Sequence, residues 1–235
     1  MADTSASPAA DYPVTLTVEY PDRQLDRLST AFRIIWIIPI AILFSLFDPA
    51  ALTNGGDWDS QQSTLTFGGL IVLPTLLMIV ARQKYPRWWF DFNVELSRLS
   101  YRISAYLTLM RDEYPSTDEK QSVHFDVKYP DVPRDLNRWL PLVKWFLAIP
   151  HYIVLVFLVI GVVFAVIYAW FAILFTGIYP RAAFDYVLGV MRWGARVSGY
   201  AVLLVTDIYP PFTLDGSQPP PAPPEPQYGP PAWRR

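Results

Sequence analysis

The chain has 235 residues, of which 52% are hydrophobic and 17% charged, with a net charge of −2 and no cysteine. It is too apolar to stay disordered and under-charged for a water-soluble domain, and it can hold no disulfide, thiolate metal site or cysteine nucleophile. The apolar excess is concentrated, since residues 34 to 47, 65 to 81 and 145 to 178 carry no charged side chain; that is the pattern of a membrane protein.

Residues 1–11 are small, polar and acidic, without the basic and apolar regions of a secretory signal, and are expected to be a disordered terminus. Val14, Leu16 and Val18 then alternate with Thr15 and Thr17, the period of a strand with one buried face. Tyr20-Pro21 ends it, because proline cannot donate to a ladder. Two crossings are expected at about 31–47 and 64–81, parted by a polar loop with Gly55-Gly56 and three aspartates but no base. Pro86 suits the first turn of a helix, and an amphipathic helix is predicted over about 87–111. Asp91, Glu95, Arg98 and Arg102 share one of its faces.

A second series follows. Val123, Phe125 and Val127 alternate with His124 and Asp126, and Tyr129-Pro130 closes the strand. The block 145 to 178 has no polar loop, yet as one helix it would be about 50 Å long against a hydrocarbon core of about 30 Å. A fold-back near Gly161 is therefore expected, giving crossings at about 142–160 and 162–178. After Pro180, the spacing of Phe184, Val187, Leu188 and Met191 predicts a second amphipathic helix over about 181–206. Residues 217–235 are so rich in proline that an extended, disordered tail is expected, one able to dock on a partner protein.

The two series align. Val14 to Asp22 matches Val123 to Asp131, Tyr85-Pro86-Arg87 matches Tyr179-Pro180-Arg181, and Arg98, Arg102 and Tyr106 fall at the spacings of Arg192, Arg196 and Tyr200. Two tandem units are predicted, 12–116 and 121–216. The fold class expected is a mainly α membrane protein: four transmembrane helices in two tandem hairpins, each with a cytoplasmic β-strand and a cytoplasmic amphipathic helix. The Lys and Arg residues all lie outside 34 to 81 and 145 to 180. By the positive-inside rule the strands, amphipathic helices and both termini are then cytoplasmic, and a pseudo-twofold axis runs along the membrane normal.

Ile149-Pro150-His151, the run Ala169 to Pro180, Phe184-Asp185-Tyr186, Arg192-Trp193 and Asp207 to Leu214 resemble the bacterial membrane proteins of the domain-of-unknown-function 4389 family. The likeness extends over nearly all of 12 to 216, with departures in the first unit such as Trp88-Trp89 and Glu95. It implies a bacterial, actinobacterial, multi-pass protein of the cytoplasmic membrane and brings no activity, substrate or site.

The candidate polar sites are few. The stripe Asp91, Arg98, Arg102 with Asp185, Arg192, Arg196 keeps residue type and spacing in both units. Its members are expected to pair with each other or with Asp112 and Asp207, or else to bind lipid phosphate through the arginines. His151 is the ionisable residue inside an apolar block, a candidate relay or ligand against a structural role. No nucleophile elbow, phosphate loop or metal motif accompanies them, so neither a cofactor nor an enzymatic activity is expected. The function read from the sequence is a non-enzymatic accessory or scaffold protein at the cytoplasmic membrane. A small carrier or channel, or a lipid-headgroup-binding or lipid-modifying protein, stands as the alternative. Membrane lipid, including anionic lipid, and a protein partner for the tail are the partners expected; nucleic acid is not.

Overall fold

The two alternating segments pair with each other. In a computed structural model, which describes residues 12–21, 24–36, 61–116 and 121–215, β1 (Val14–Val18) and β2 (Val123–Val127) form a two-stranded antiparallel sheet. Its register is centred on Leu16 opposite Phe125, with Val14 opposite Val127 and Val18 opposite Val123. Alternation puts Val14, Leu16, Val18, Val123 and Phe125 on a buried face, while His124 and Asp126 face solvent. A lone two-stranded ribbon is marginal in water, so helices cover its apolar side.

Among the described residues α1 (Arg27–Trp36), α2 (Gln61–Arg82) and α3 (Arg87–Leu107) lie between the two strands in the chain, and the single turn α4 (Val132–Asp135) follows β2. After a short 3-10 turn at Leu140–Leu142 come α5 (Lys144–Thr176) and α6 (Arg181–Ala201). The amphipathic helices begin where the prolines predict, directly after Pro86 and Pro180. They dock crosswise: α3, which follows β1 in the chain, covers β2, and α6, which follows β2, covers β1. Both stop short of the expected 111 and 206, because Leu109 (φ 65°) and Leu204 (φ 56°) are left-handed. That conformation turns the backbone and lets Met110 and Val205 donate back to Ala105 and Gly199.

The expected pair of crossings in the second unit is not there. α5 is one unbroken helix of 33 residues, passing through Pro150 and Gly161 and ending at Gly177, whose φ of 75° caps it. Gly161 is not a turn. A β-carbon there would stand 2.2 Å from the Tyr186 hydroxyl, and Tyr186 donates to the Leu158 carbonyl at 2.9 Å. The glycine serves the close approach of α6 to α5, and the apolar block stays helical through Pro150 at the loss of one ladder bond.

Four transmembrane helices are likewise not supported. Among the described residues, α5 alone is long and apolar enough to cross a membrane. The expected crossing 64–81 is helical within α2; that at 31–47 is described only as far as Trp36, in α1, and most of the loop after it lies outside the described residues. So do the N-terminal segment and the proline-rich tail.

The layers are stacked in one order. The sheet presents its polar face outward, α3 and α6 lie beneath its apolar face, and α5 packs on the far side of α6, antiparallel to it. α1 rests against the C-terminal half of α5, and the end of α2 meets the 3-10 turn at its start.

Candidate functional site

The arginines of the stripe converge on the sheet rather than on carboxylates. Arg98 on α3 donates through Nε (3.3 Å) and Nη2 (3.1 Å) to the carbonyl of Phe125 on β2. Arg192 on α6 donates through Nε to the carbonyl of Leu16 on β1 at 3.0 Å. Those two carbonyls belong to the central pair of the sheet. Each guanidinium thus ties its helix to the strand that helix covers. Strand edges expose carbonyls that need donors, and a long planar cation on the adjacent helix reaches them.

Arg102 and Arg196 close the segments that follow. Arg102 donates to the Ser116 carbonyl, and Arg196, 3% exposed, donates to the Thr213 carbonyl and to Thr213 Oγ1 at 3.4 Å. Burial pulls the Arg192 guanidinium below the ordinary arginine range, opposed by the charge of Asp185. Burial does the same at Arg196, opposed by Tyr12. The expected arginine-aspartate pairing within the stripe is not seen. Asp91 and Asp185 are exposed, and Arg98 takes Glu95 and, at 3.6 Å, Asp126 as its ion-pair partners.

Asp112 and Asp207 are paired elsewhere, with two cations that sequence reasoning missed. Arg33 on α1 forms a salt bridge with Asp112 and donates to the carbonyls of Tyr106 (3.0 Å) and Arg111 (2.9 Å). Lys144, fully buried at the start of α5, lies 2.8 Å from Asp207 and donates to the Thr206 carbonyl at 2.8 Å. Arg33 stacks on Tyr106 and Lys144 on Tyr200. The free oxygens of the carboxylates cap the chain upstream, Asp112 accepting from Asp26 N–H (2.8 Å) and Asp207 from Asn137 N–H (2.5 Å). A signal existed: Arg33 and Lys144 each stand six residues before the aligned prolines Pro39 and Pro150.

The Tyr-Pro junctions follow the same crosswise rule. Tyr20 donates to the Tyr179 carbonyl and Tyr129 to the Tyr85 carbonyl, both at 2.5 Å. Arg181 lies over the Tyr20 ring at 3.9 Å and Arg87 over the Tyr129 ring at 4.7 Å.

His151 turns inward, onto α6. Its Nδ1 accepts from Trp193 Nε1 at 3.0 Å, its ring stacks on Phe212 at 4.0 Å, and its Nε2 is buried without a partner. Nδ1 acting as acceptor leaves the proton of the neutral ring on Nε2. The structure does not bring His151 together with the other candidates as one reaction centre, because the arginine side chains are spent on backbone carbonyls. Among the described residues no group of three or more His, Asp or Glu side chains stands close enough to hold a metal ion. Among the described residues an opening of about 620 Å³ lies beside the sheet edge near Asp126, Lys128 and Asp135, and an apolar one of about 410 Å³ lies between α1 and α5 near Trp170.

Fold and site together define a layered helical protein with a polar framework turned upon itself, in which α5 alone among the described residues is long and apolar enough to cross a membrane. Residues 139–213 match the family model of a domain of unknown function, DUF4389. The match supports the family resemblance over α5, α6 and the segment after them, and the first unit, β1 and β2 lie outside it. No curated protein and no solved structure shows significant similarity to the chain.

Proposed function

We propose that this is a non-enzymatic accessory or scaffold protein of the cytoplasmic membrane, built from two tandem units that exchange strands. The observation that carries the membrane reading is α5: it has no charged residue after Lys144, and only 6% of its most apolar 18-residue stretch is buried against the rest of the chain. An exposed apolar surface of that extent marks an interaction with lipid or protein. The scaffold reading is supported by the use of Arg98, Arg192, Arg33 and Lys144 on the chain's own backbone and carboxylates. The tandem reading is supported by contacts that recur at aligned positions: Arg98 to Phe125 with Arg192 to Leu16, Tyr20 to Tyr179 with Tyr129 to Tyr85, Arg33 to Asp112 with Lys144 to Asp207.

The test is fractionation of native membranes followed by mild-detergent purification of the full chain, with identification of bound proteins and lipids. A membrane-bound protein that co-purifies with the same partner or lipid class in repeated preparations is expected. A chain found in the soluble fraction would contradict the membrane reading, and substrate turnover by the pure protein the non-enzymatic one. A second reading, binding of anionic headgroups, is favoured by the exposed Trp88 and Trp139 (70% and 62%) among exposed basic residues.

A further inference from the structure

Resting on the membrane reading above, we propose that α5 lies in the plane of an anionic leaflet rather than across the bilayer. Its outer face is in the lipid, and a basic, tryptophan-bearing cluster at its N-terminal end is on the headgroups.

Four phenylalanines mark one line along the broad outer face. Phe146, Phe157, Phe164 and Phe175 are separated by eleven, seven and eleven residues, which are close to whole turns, and they are 70%, 68%, 68% and 78% exposed. They run the length of the helix, about 40 Å at 1.5 Å per residue. From Ala148 to Gly161 the opposite face is attached to α6, and α1 rests against the C-terminal half. Ala148 packs with Tyr200 and Ala201, His151 bonds Trp193, and Leu158 and Gly161 meet Tyr186. α6 in turn carries β1.

No central section of α5 therefore stands free to cross a bilayer alone. Asp185 is exposed beside Tyr186, level with the middle of α5. Were α5 to cross, that carboxylate would sit near the centre of the hydrocarbon, the costliest depth for a charge, with the polar sheet behind it. Laid in the plane, α5 faces lipid with one side and keeps Asp185, the arginines and the sheet on the water side, the arrangement of a monotopic helix.

Charge gives the leaflet. Arg138 donates to the carbonyls of Val80 and Ala81, tying the end of α2 to the start of α5. Around this junction Arg82, Lys84, Arg87, Arg134 and Arg138 are exposed, against the carboxylates Asp131 and Asp135, and Trp88 and Trp139 stand out beside them. Arg134 pairs with Asp131 and Arg138 stacks on Trp139 at 5.6 Å. Tryptophan with surplus basic charge is suited to the headgroup level of an anionic surface.

The chain has no cysteine, so single spin labels can be placed by Phe146→Cys, Phe157→Cys, Phe164→Cys and Phe175→Cys. Their depth is read from accessibility to oxygen and to a water-soluble nickel complex in vesicles of phosphatidylcholine and phosphatidylglycerol. Four similar, shallow depths are expected. A profile deepest at 157 and 164 and shallow at both ends would overturn the in-plane placement while keeping the membrane reading. Labels open to the nickel complex, or shielded from both reagents by protein, would overturn both. Lys84→Glu with Arg134→Glu should weaken partition onto these vesicles about tenfold or more, at about one decade's worth of surface attraction per pair of charges; unchanged partition would contradict the anionic surface.

Discussion

Arg192 and Arg98 show how a single side chain can fasten a helix to the strand it covers. Each satisfies a strand carbonyl that the two-stranded sheet leaves without a donor, and each reaches it from the helix packed on that strand. Removing a charged donor from a buried acceptor costs about 1.5 to 3 kcal/mol. Arg192→Ala should therefore destabilise the protein by about 2 kcal/mol in a thermal melt in detergent, whereas Asp185→Ala, at an exposed carboxylate, should shift it little. Equal effects at the two positions would return the stripe to a simple ion-pair role. Buried tyrosines, Tyr12 and Tyr179 at Tyr-Pro junctions and Tyr101 within α3, give a pH signature. Burial holds the phenols of Tyr12, Tyr101 and Tyr179 well above their ordinary value, while in the unfolded chain they ionise from about pH 10. Above that pH the unfolded state binds fewer protons than the folded one, so their contribution is complete below about pH 10 and is lost as pH rises further. A spectrophotometric titration should show these phenols ionising only together with unfolding; reversible ionisation in the folded protein would contradict their burial.

At the scale of elements, α5 and its partner helix decide the architecture. Gly161→Ala would drive a β-carbon into the Tyr186 hydroxyl, and overpacking of this kind costs about 1 to 3 kcal/mol. Adding Tyr186→Phe removes the clashing oxygen and should recover part of the loss, a coupling that a double-mutant cycle measures. Additive losses would mean that the two residues do not meet. The strands were legible in the sequence, because alternation at Val14 to Val18 has one geometric meaning, and so were the helix starts, because Pro86 and Pro180 stand directly before amphipathic runs, where proline favours an N-terminus. The helix ends were not, since leucine gives no sign of the left-handed conformation found at Leu109 and Leu204. Nor was the continuity of α5: a glycine marks a turn and a close helix contact equally well, and the length argument against a 33-residue helix assumed that it must span.

At the scale of the molecule, the antiparallel register centred on Leu16 and Phe125 places a half-turn perpendicular to the sheet. α6 covers β1 and α3 covers β2. Pairs such as Arg33 with Asp112 and Lys144 with Asp207 could not be read from the stripe alone, because their members are far apart in the chain and meet only in the folded protein. With α5 in the plane of the membrane, the half-turn lies along its normal, and one face of the protein is apolar while the other is the polar face of the sheet. Photolabelling with a lipid that bears a reactive group on its acyl chain, followed by mapping of the labelled peptides, tests this two-sidedness directly. The account predicts label on the outer face of α5, at Phe146, Phe157, Phe164 and Phe175, and none on β1, β2 or Asp185; label distributed over α6 and the sheet, or absent from α5, would contradict it.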